Sequence, residues 1–297
     1  MFHRFNSIKT EIEIIMLEVI EETLIDTLKL LPFLFLTYLA MEYIEQRTAG
    51  KAEGVIRRTG KWGPLFGGIL GAFPQCGFST AATNLYAGKV ITMGTLIAVY
   101  LSTSDEMLPI LISEHAPIKT ILLIIGAKMV IGTVFGFLTD LVFFKQRATK
   151  IHIHEICEQE HCHCEEGSIL KSALIHTGQI ALFILSITFL LELVMHFAGE
   201  EFLAGIILNR PVLGPILAGI VGLIPNCAAS VVITTLYLEG VISTGAMMSG
   251  LLVGAGVGLL VLFRINHHKK ENFTVVALLY AIGVFCGIVI DLVNMFV

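Results

Sequence analysis

The chain has 297 residues, is 55% hydrophobic and only 14% charged, and has a mean hydropathy of +0.84 and a formal net charge of −5. That leaves too little polar surface to face water on all sides, so an ordinary soluble domain is excluded and the bilayer is its solvent. The charges gather in loops and at the N-terminus, which points to no nucleic-acid partner.

Residues 1–23 alternate acidic and apolar side chains at helical spacing without a small-residue cleavage site. This predicts an amphipathic segment lying on the membrane rather than a secretory signal. Apolar stretches follow at 24–44, 63–87, 90–112, 118–144, 170–197, 211–238, 241–263 and 273–297. Each approaches or exceeds the roughly 20 residues that a helix needs to cross hydrocarbon. Backbone at that depth must satisfy its own hydrogen bonds, so the fold class is an all-α polytopic membrane protein.

The chain also contains itself twice. Gly63-Pro64 through Phe73-Pro74-Gln75-Cys76 reappears as Gly214-Pro215 through Ile224-Pro225-Asn226-Cys227, at an offset of 151. Ser79 then meets Ser230, Thr83 meets Thr234, Gly94 meets Gly245, Gly132 meets Gly283, Gly136 meets Gly287 and Asp140 meets Asp291 in the same register. Residues 24–144 form one repeat and 170–297 the other, joined by a polar linker at 145–169. Lysine and arginine concentrate in loops 45–62, 145–171 and 264–272, which predicts that these three face the cytoplasm of a plasma (inner) membrane, while 113–119 and 198–210 face out. Equivalent loops 45–62 and 198–213 then lie on opposite sides, so the expectation is two inverted repeats. Proline removes a backbone donor, which predicts broken helices or re-entrant hairpins at Pro74 and Pro225. Inverted repeats whose broken helices meet at the midplane are a recurring way to build a transport site.

Four side chains would converge there: Gln75 and Cys76 from one half, Asn226 and Cys227 from the other. Thiolates suit soft or borderline ions, and amide oxygens harder ones. Taken singly, such a cysteine is a small packing residue and such a proline a kink. The pairing at symmetric positions argues for a binding site. Ser79 and Ser230 follow the breaks and could line the path or pack. A second polar cluster, Ser102-Thr103-Ser104-Asp105-Glu106, interrupts an apolar stretch, and two adjacent carboxylates at that depth imply a cavity, a cation or a proton path. Its counterpart is Val253-Gly254-Ala255-Gly256-Val257, so the symmetry fails here. The paired carboxylates Glu42/Glu192 and Asp140/Asp291 fall near segment ends and suit interface anchors at least as well as function.

The linker holds four His, three Cys and five Glu between Ile151 and Glu166. His152, His154, Cys157, His161, Cys162, His163 and Cys164 are competent ligands for Zn, Cu, Ni or Co. Their spacing fits no fixed finger, so a flexible metal-collecting segment is the expectation, and the thiols suit a reducing compartment rather than a disulfide framework.

With Phe73-Pro74-Gln75-Cys76, Ser104-Asp105-Glu106 and Ile224-Pro225-Asn226-Cys227 in view, the sequence resembles the ten-transmembrane heavy-metal exporters, described as arsenic efflux proteins or manganese transporters. The resemblance runs from about Leu24 to Val297. It implies export of a metal ion or metalloid, with ten segments where hairpin halves are counted separately. It supplies no catalytic residues. No P-loop or aspartyl-phosphate motif is present, which favours secondary transport with no required cofactor; the partners are the cargo and the lipid bilayer, and a homo-oligomer stays open. The rival readings are an intramembrane enzyme with a cysteine nucleophile, which lacks an evident oriented base beside His176 or His196, and a membrane metal sensor acting through the linker.

Overall fold

The computed structural model describes residues 62–73, 76–104, 107–143, 169–198, 212–266 and 268–296, with most of 16–39. Every described element is an α-helix. In the first repeat these are α1 (Gly63–Gly71), α2 (Cys76–Ala87), α3 (Met93–Ser102), α4 (Met107–Ser113) and α5 (Ile118–Val142). Helix α6 (Ile169–Ala198) opens the second repeat, followed by α7 (Leu213–Gly222), α8 (Cys227–Leu238), α9 (Thr244–Val253), α10 (Val257–Ile265) and α11 (Lys269–Phe296).

The repeated sequence makes repeated local structure. Pro64 near the start of α1 lacks only an N–H that a helix N-terminus leaves unpaired. Helix α2 ends with Lys89 in the left-handed region (φ 58°) and a Val90 N–H to Leu85 carbonyl bond of 2.8 Å. Helix α8 ends the same way with Gly240 (φ 73°) and Val241 N–H to Leu236 carbonyl, 2.9 Å. This is the common left-handed helix stop.

Thr92 caps α3 by accepting from the Thr95 amide at 3.1 Å, and Ser243 caps α9 by accepting from the Ala246 amide at 3.1 Å. The paired aspartates complete both caps. Asp140 accepts from the Gly94 amide (3.0 Å) and the Thr92 hydroxyl (2.8 Å); Asp291 accepts from the Gly245 amide (2.8 Å) and the Ser243 hydroxyl (2.6 Å). Both carboxylates are buried. A carboxylate against a helix N-terminus meets the positive end of its dipole and two donors. Asp140 and Asp291 are therefore ties between helices. The geometry needs glycine at Gly94 and Gly245, where a Cβ would collide with the Gly136 and Gly287 carbonyls.

Packing is repeated too: α1 lies on α3 and α5, and α3 lies on α5, while α7 lies on α9 and α11, and α9 lies on α11. Between repeats the contacts are exchanged. Helix α2 packs on α10, α8 packs on α4, and α3 meets α9. One core cluster accordingly mixes residues of both halves, such as Leu96, Tyr100 and Leu111 with Ile233, Met247 and Leu262.

Five helical stretches among the described residues are long and apolar enough to cross a membrane: 93–113, 118–142, 173–190, 244–265 and 269–295. Burial sorts them. The stretches 93–113 and 244–265 are 75% and 83% enclosed by protein, against 28%, 29% and 33% for the other three. Both enclosed stretches are interrupted, at 103–104 and at 254–256. Residues 90–112, which read in the sequence as one apolar span, thus hold two helices. Irregular backbone survives at such depth only where protein surrounds it, which is where it is found.

Candidate functional site

Asn226 opens α8. Its backbone is extended (φ −141°, ψ 150°), and its Oδ1 accepts from the Ala228 amide at 3.4 Å, the ordinary work of a cap residue. That fixes which end of the amide is spent. Nδ2 has no hydrogen-bond partner among the described residues, although the residue is only 5% exposed. Asn226 lines a small cavity with Ser230 and Ile233 of α8, Gly222 at the end of α7, and Gly250 and Gly254 of the interrupted α9 stretch. A buried donor without an acceptor costs about 1–3 kcal/mol, so a residue that carries one on a cavity wall is a candidate to bind an oxygen atom.

The other groups around it are specific. The Ser230 hydroxyl donates to the Cys227 carbonyl at 2.7 Å, which leaves its lone pairs for a guest. Cys227, in the first position of α8, is half-buried next to Asn226 in the chain and does not line the cavity. An amide N–H cannot ligate a bare cation. It can hold an oxygen of a metalloid species or a water in a metal ion's hydration shell, while thiolate and carbonyl oxygen do the direct ligation.

The symmetric serines part company. Ser230 lines the cavity, but Ser79 is fully buried where α2 meets α10, so close that a Cβ on Gly258 would lie 3.0 Å from the Ser79 side chain. One turn on, Thr83 bonds the Tyr100 hydroxyl, and Tyr100 donates to the Gly258 carbonyl at 3.0 Å. This network belongs to the contact between repeats. Ser102 and Ser104 are also buried, with hydroxyls donating to the Ala98 carbonyl (2.7 Å) and the Ser102 carbonyl (3.2 Å). They end α3 rather than line the cavity.

Gln75, Asp105, Glu106 and the linker ligands His152, His154, Cys157, His161, Cys162, His163 and Cys164 lie outside the described residues, as does the Cys76 side chain. Among the described residues no three His, Cys, Asp or Glu side chains gather closely enough to hold a metal ion.

One residue escaped the sequence reading. Lys128, the eleventh of the twenty-five residues of α5, is 1% exposed. Its ammonium donates to the Thr103 carbonyl at the end of α3 and to the Leu251 carbonyl of α9 at 2.7 Å. The signal was present: a lone lysine in the middle of an apolar span, with Leu279 at the equivalent place in the second repeat. Proximity to the two interruptions was not visible in the sequence.

With its described elements all helical, five membrane-length helical stretches among the described residues, the interrupted ones enclosed, and a small cavity lined by Asn226 and Ser230 beside one interruption, the chain is a multi-pass membrane protein of the transporter class. The chain belongs to the family described as "Putative, 10TM heavy-metal exporter", which it matches over residues 15–197. The matched part takes in the first repeat, the linker and α6. No curated protein and no solved structure matches the chain.

Proposed function

We propose that the protein is a secondary transporter that exports a heavy or transition metal ion or a metalloid across the plasma membrane, through a site between two inverted repeats. The observation that carries this reading is the orphaned Asn226 Nδ2 in a cavity walled by the start of α8 and the interrupted end of α9. Helix ends of that kind present unpaired N–H and C=O groups to a guest without help from solvent. Gln75 and Cys76, which repeat the motif, would supply the opposite wall. Asp105 and Glu106 add charge from one half only.

Inversion is supported by the charge of equivalent loops and by the exchanged packing of α2 on α10 and α8 on α4. The linker, on the cytoplasmic side by the same charge rule, would raise the local concentration of metal before it loads. Loading from the cytoplasm makes the direction export.

Transport into inside-out vesicles tests the site. Asn226→Ala should cut uptake of the cargo about tenfold or more, the scale set by a lost buried hydrogen bond of 1–3 kcal/mol. Cys227→Ser should cripple uptake of Zn2+ or arsenite and spare Mn2+. Wild-type uptake of every cargo by a folded Asn226→Ala variant would place the site elsewhere.

A further inference from the structure

A protonated amine in the middle of an apolar helix is expensive unless its charge is compensated, and where such residues occur they face partners or pathways. Lys128 finds compensation at two helix ends. Thr103 stands just beyond the last residue of α3, and Leu251 is in the last turn of α9, so neither carbonyl has the onward amide that a continuing helix would supply. Each carries the partial negative charge of a helix C-terminus. In broken-helix transporters such ends hold a coupling cation. Here the cation is covalently part of the chain.

Lys128 also reaches the cavity wall. Gly250 and Gly254 line the cavity, and Leu251, between them on the same turn of α9, accepts the bond from Lys128. Loss of the ammonium's charge weakens the hold on a carbonyl of the turn that walls the cargo site, and does so from the first repeat into the second.

We propose that Lys128 is the coupling residue of the transporter: its ammonium clamps the two interrupted helices, and the proton it gives up is exchanged for the cargo. In that step one N–H bond breaks, the electron pair stays on nitrogen as a neutral amine, and the proton passes to water in the path. Water from the opposite compartment returns it once the cargo has left. The inference rests on the export reading and adds the coupling ion to it.

Among the described residues, the other titratable groups on the helices packed around Lys128 are bonded elsewhere, buried or in the first turn of their helix. Helices α1 and α9 carry no titratable side chain. Helix α3 carries Tyr100, bonded to Gly258, and α5 itself carries Lys119 in its first turn and Asp140, held by Thr92 and Gly94. On α11, which packs on α3 and α9, Glu271 pairs with Lys89, Asp291 holds Ser243 and Gly245, the Tyr280 hydroxyl donates to the Ile216 carbonyl, and Cys286 is buried. Asp105 and Glu106 follow Thr103 directly in the chain and are the nearest carboxylates in sequence.

The test uses the full chain in proteoliposomes with Zn2+, Mn2+ and arsenite supplied in turn, and proton release on binding measured by calorimetry in two buffers of different ionisation enthalpy. For wild type, with the membrane potential clamped at zero, a gradient of one pH unit should sustain about a tenfold accumulation of the transported species, the ratio that one-for-one exchange supports. About one proton should leave per cargo bound. Lys128→Gln, which keeps donors for both carbonyls, should bind cargo and pass it downhill but neither accumulate it nor release a proton. Wild-type accumulation by Lys128→Gln overturns the proposal. If that variant does not fold, wild-type protein decides alone, because cargo binding with no proton release overturns it equally. Failure of wild type to move any of the three probes breaks the export reading itself and this proposal with it.

Discussion

The two interrupted helices stop by different chemistry. Helix α3 ends where the hydroxyls of Ser102, Thr103 and Ser104 turn back onto the carbonyls of Ala98, Val99 and Ser102, competing with the helix for its own acceptors. Helix α9 ends on Gly254-Ala255-Gly256, with Gly256 at φ 54° and ψ −144°, a conformation open to glycine and strained for other residues. The first interruption is lined with hydroxyls, the second is bare backbone beside a cavity, and Lys128 reaches both. By contrast, the supports that hold the two helices, Asp140 with Thr92 and Asp291 with Ser243, are nearly identical. A duplicated scaffold has kept its ties in both copies and divided its chemistry between them.

The sharpest way to break this comparison is at the ties. Asp140→Ala and Asp291→Ala should each destabilise the protein by about 2–3 kcal/mol, because each removes a charged acceptor from two buried donors. Thermal unfolding in detergent should show equal losses. A large loss at one site and none at the other would mean that the scaffold is not symmetric in energy.

A smaller, unequal effect is expected at the interruptions. Gly256→Ala puts a side chain where the backbone has positive φ and should cost about 1–3 kcal/mol, whereas Ser104→Ala gives up one neutral hydrogen bond of about 0.5–1 kcal/mol. Unfolding midpoints of the two variants check the order, and a greater loss for Ser104→Ala would mean that α3 depends on its hydroxyls more than α9 on its glycine.

The smallest effect sharpens the comparison at the ends of α2 and α8. Gly240→Ala should cost about 1 kcal/mol, since the left-handed turn favours glycine. Lys89→Gly relieves the same strain but gives up the 3.1 Å ion pair with Glu271, so the two terms offset to within about 0.5 kcal/mol. A marked loss of stability in Lys89→Gly would show that this contact between repeats outweighs the turn.

Much of the architecture is legible in the residues alone. Hydropathy and length dictate membrane helices, and a 151-residue offset holding from Gly63 to Asp291 dictates that whatever one half builds the other half builds again. The prolines mark where α1 and α7 give way to α2 and α8. The helix breaks inside 93–113 and 244–265 are less legible, because hydropathy averages over a window and is blind to two or three residues of hydroxyl or glycine in an apolar run.

Tertiary structure decided the meaning of the polar residues. Asp140 and Asp291 could as well have been anchors at a membrane surface until the amides of Gly94 and Gly245 were found against them, 46 residues away in each chain segment. Ser79 and Ser230 are one residue type at one repeat position, yet one is sealed between helices and the other lines the cavity. That difference depends on what lies across each: α10 of the other repeat covers Ser79, whereas Ser230 faces the end of α9 in its own repeat. Lys128 is the clearest instance: composition shows a costly charge, and only the meeting of α3, α5 and α9 shows the two carbonyls that make it tolerable. Local sequence sets which groups need partners; the long-range fold chooses the partners.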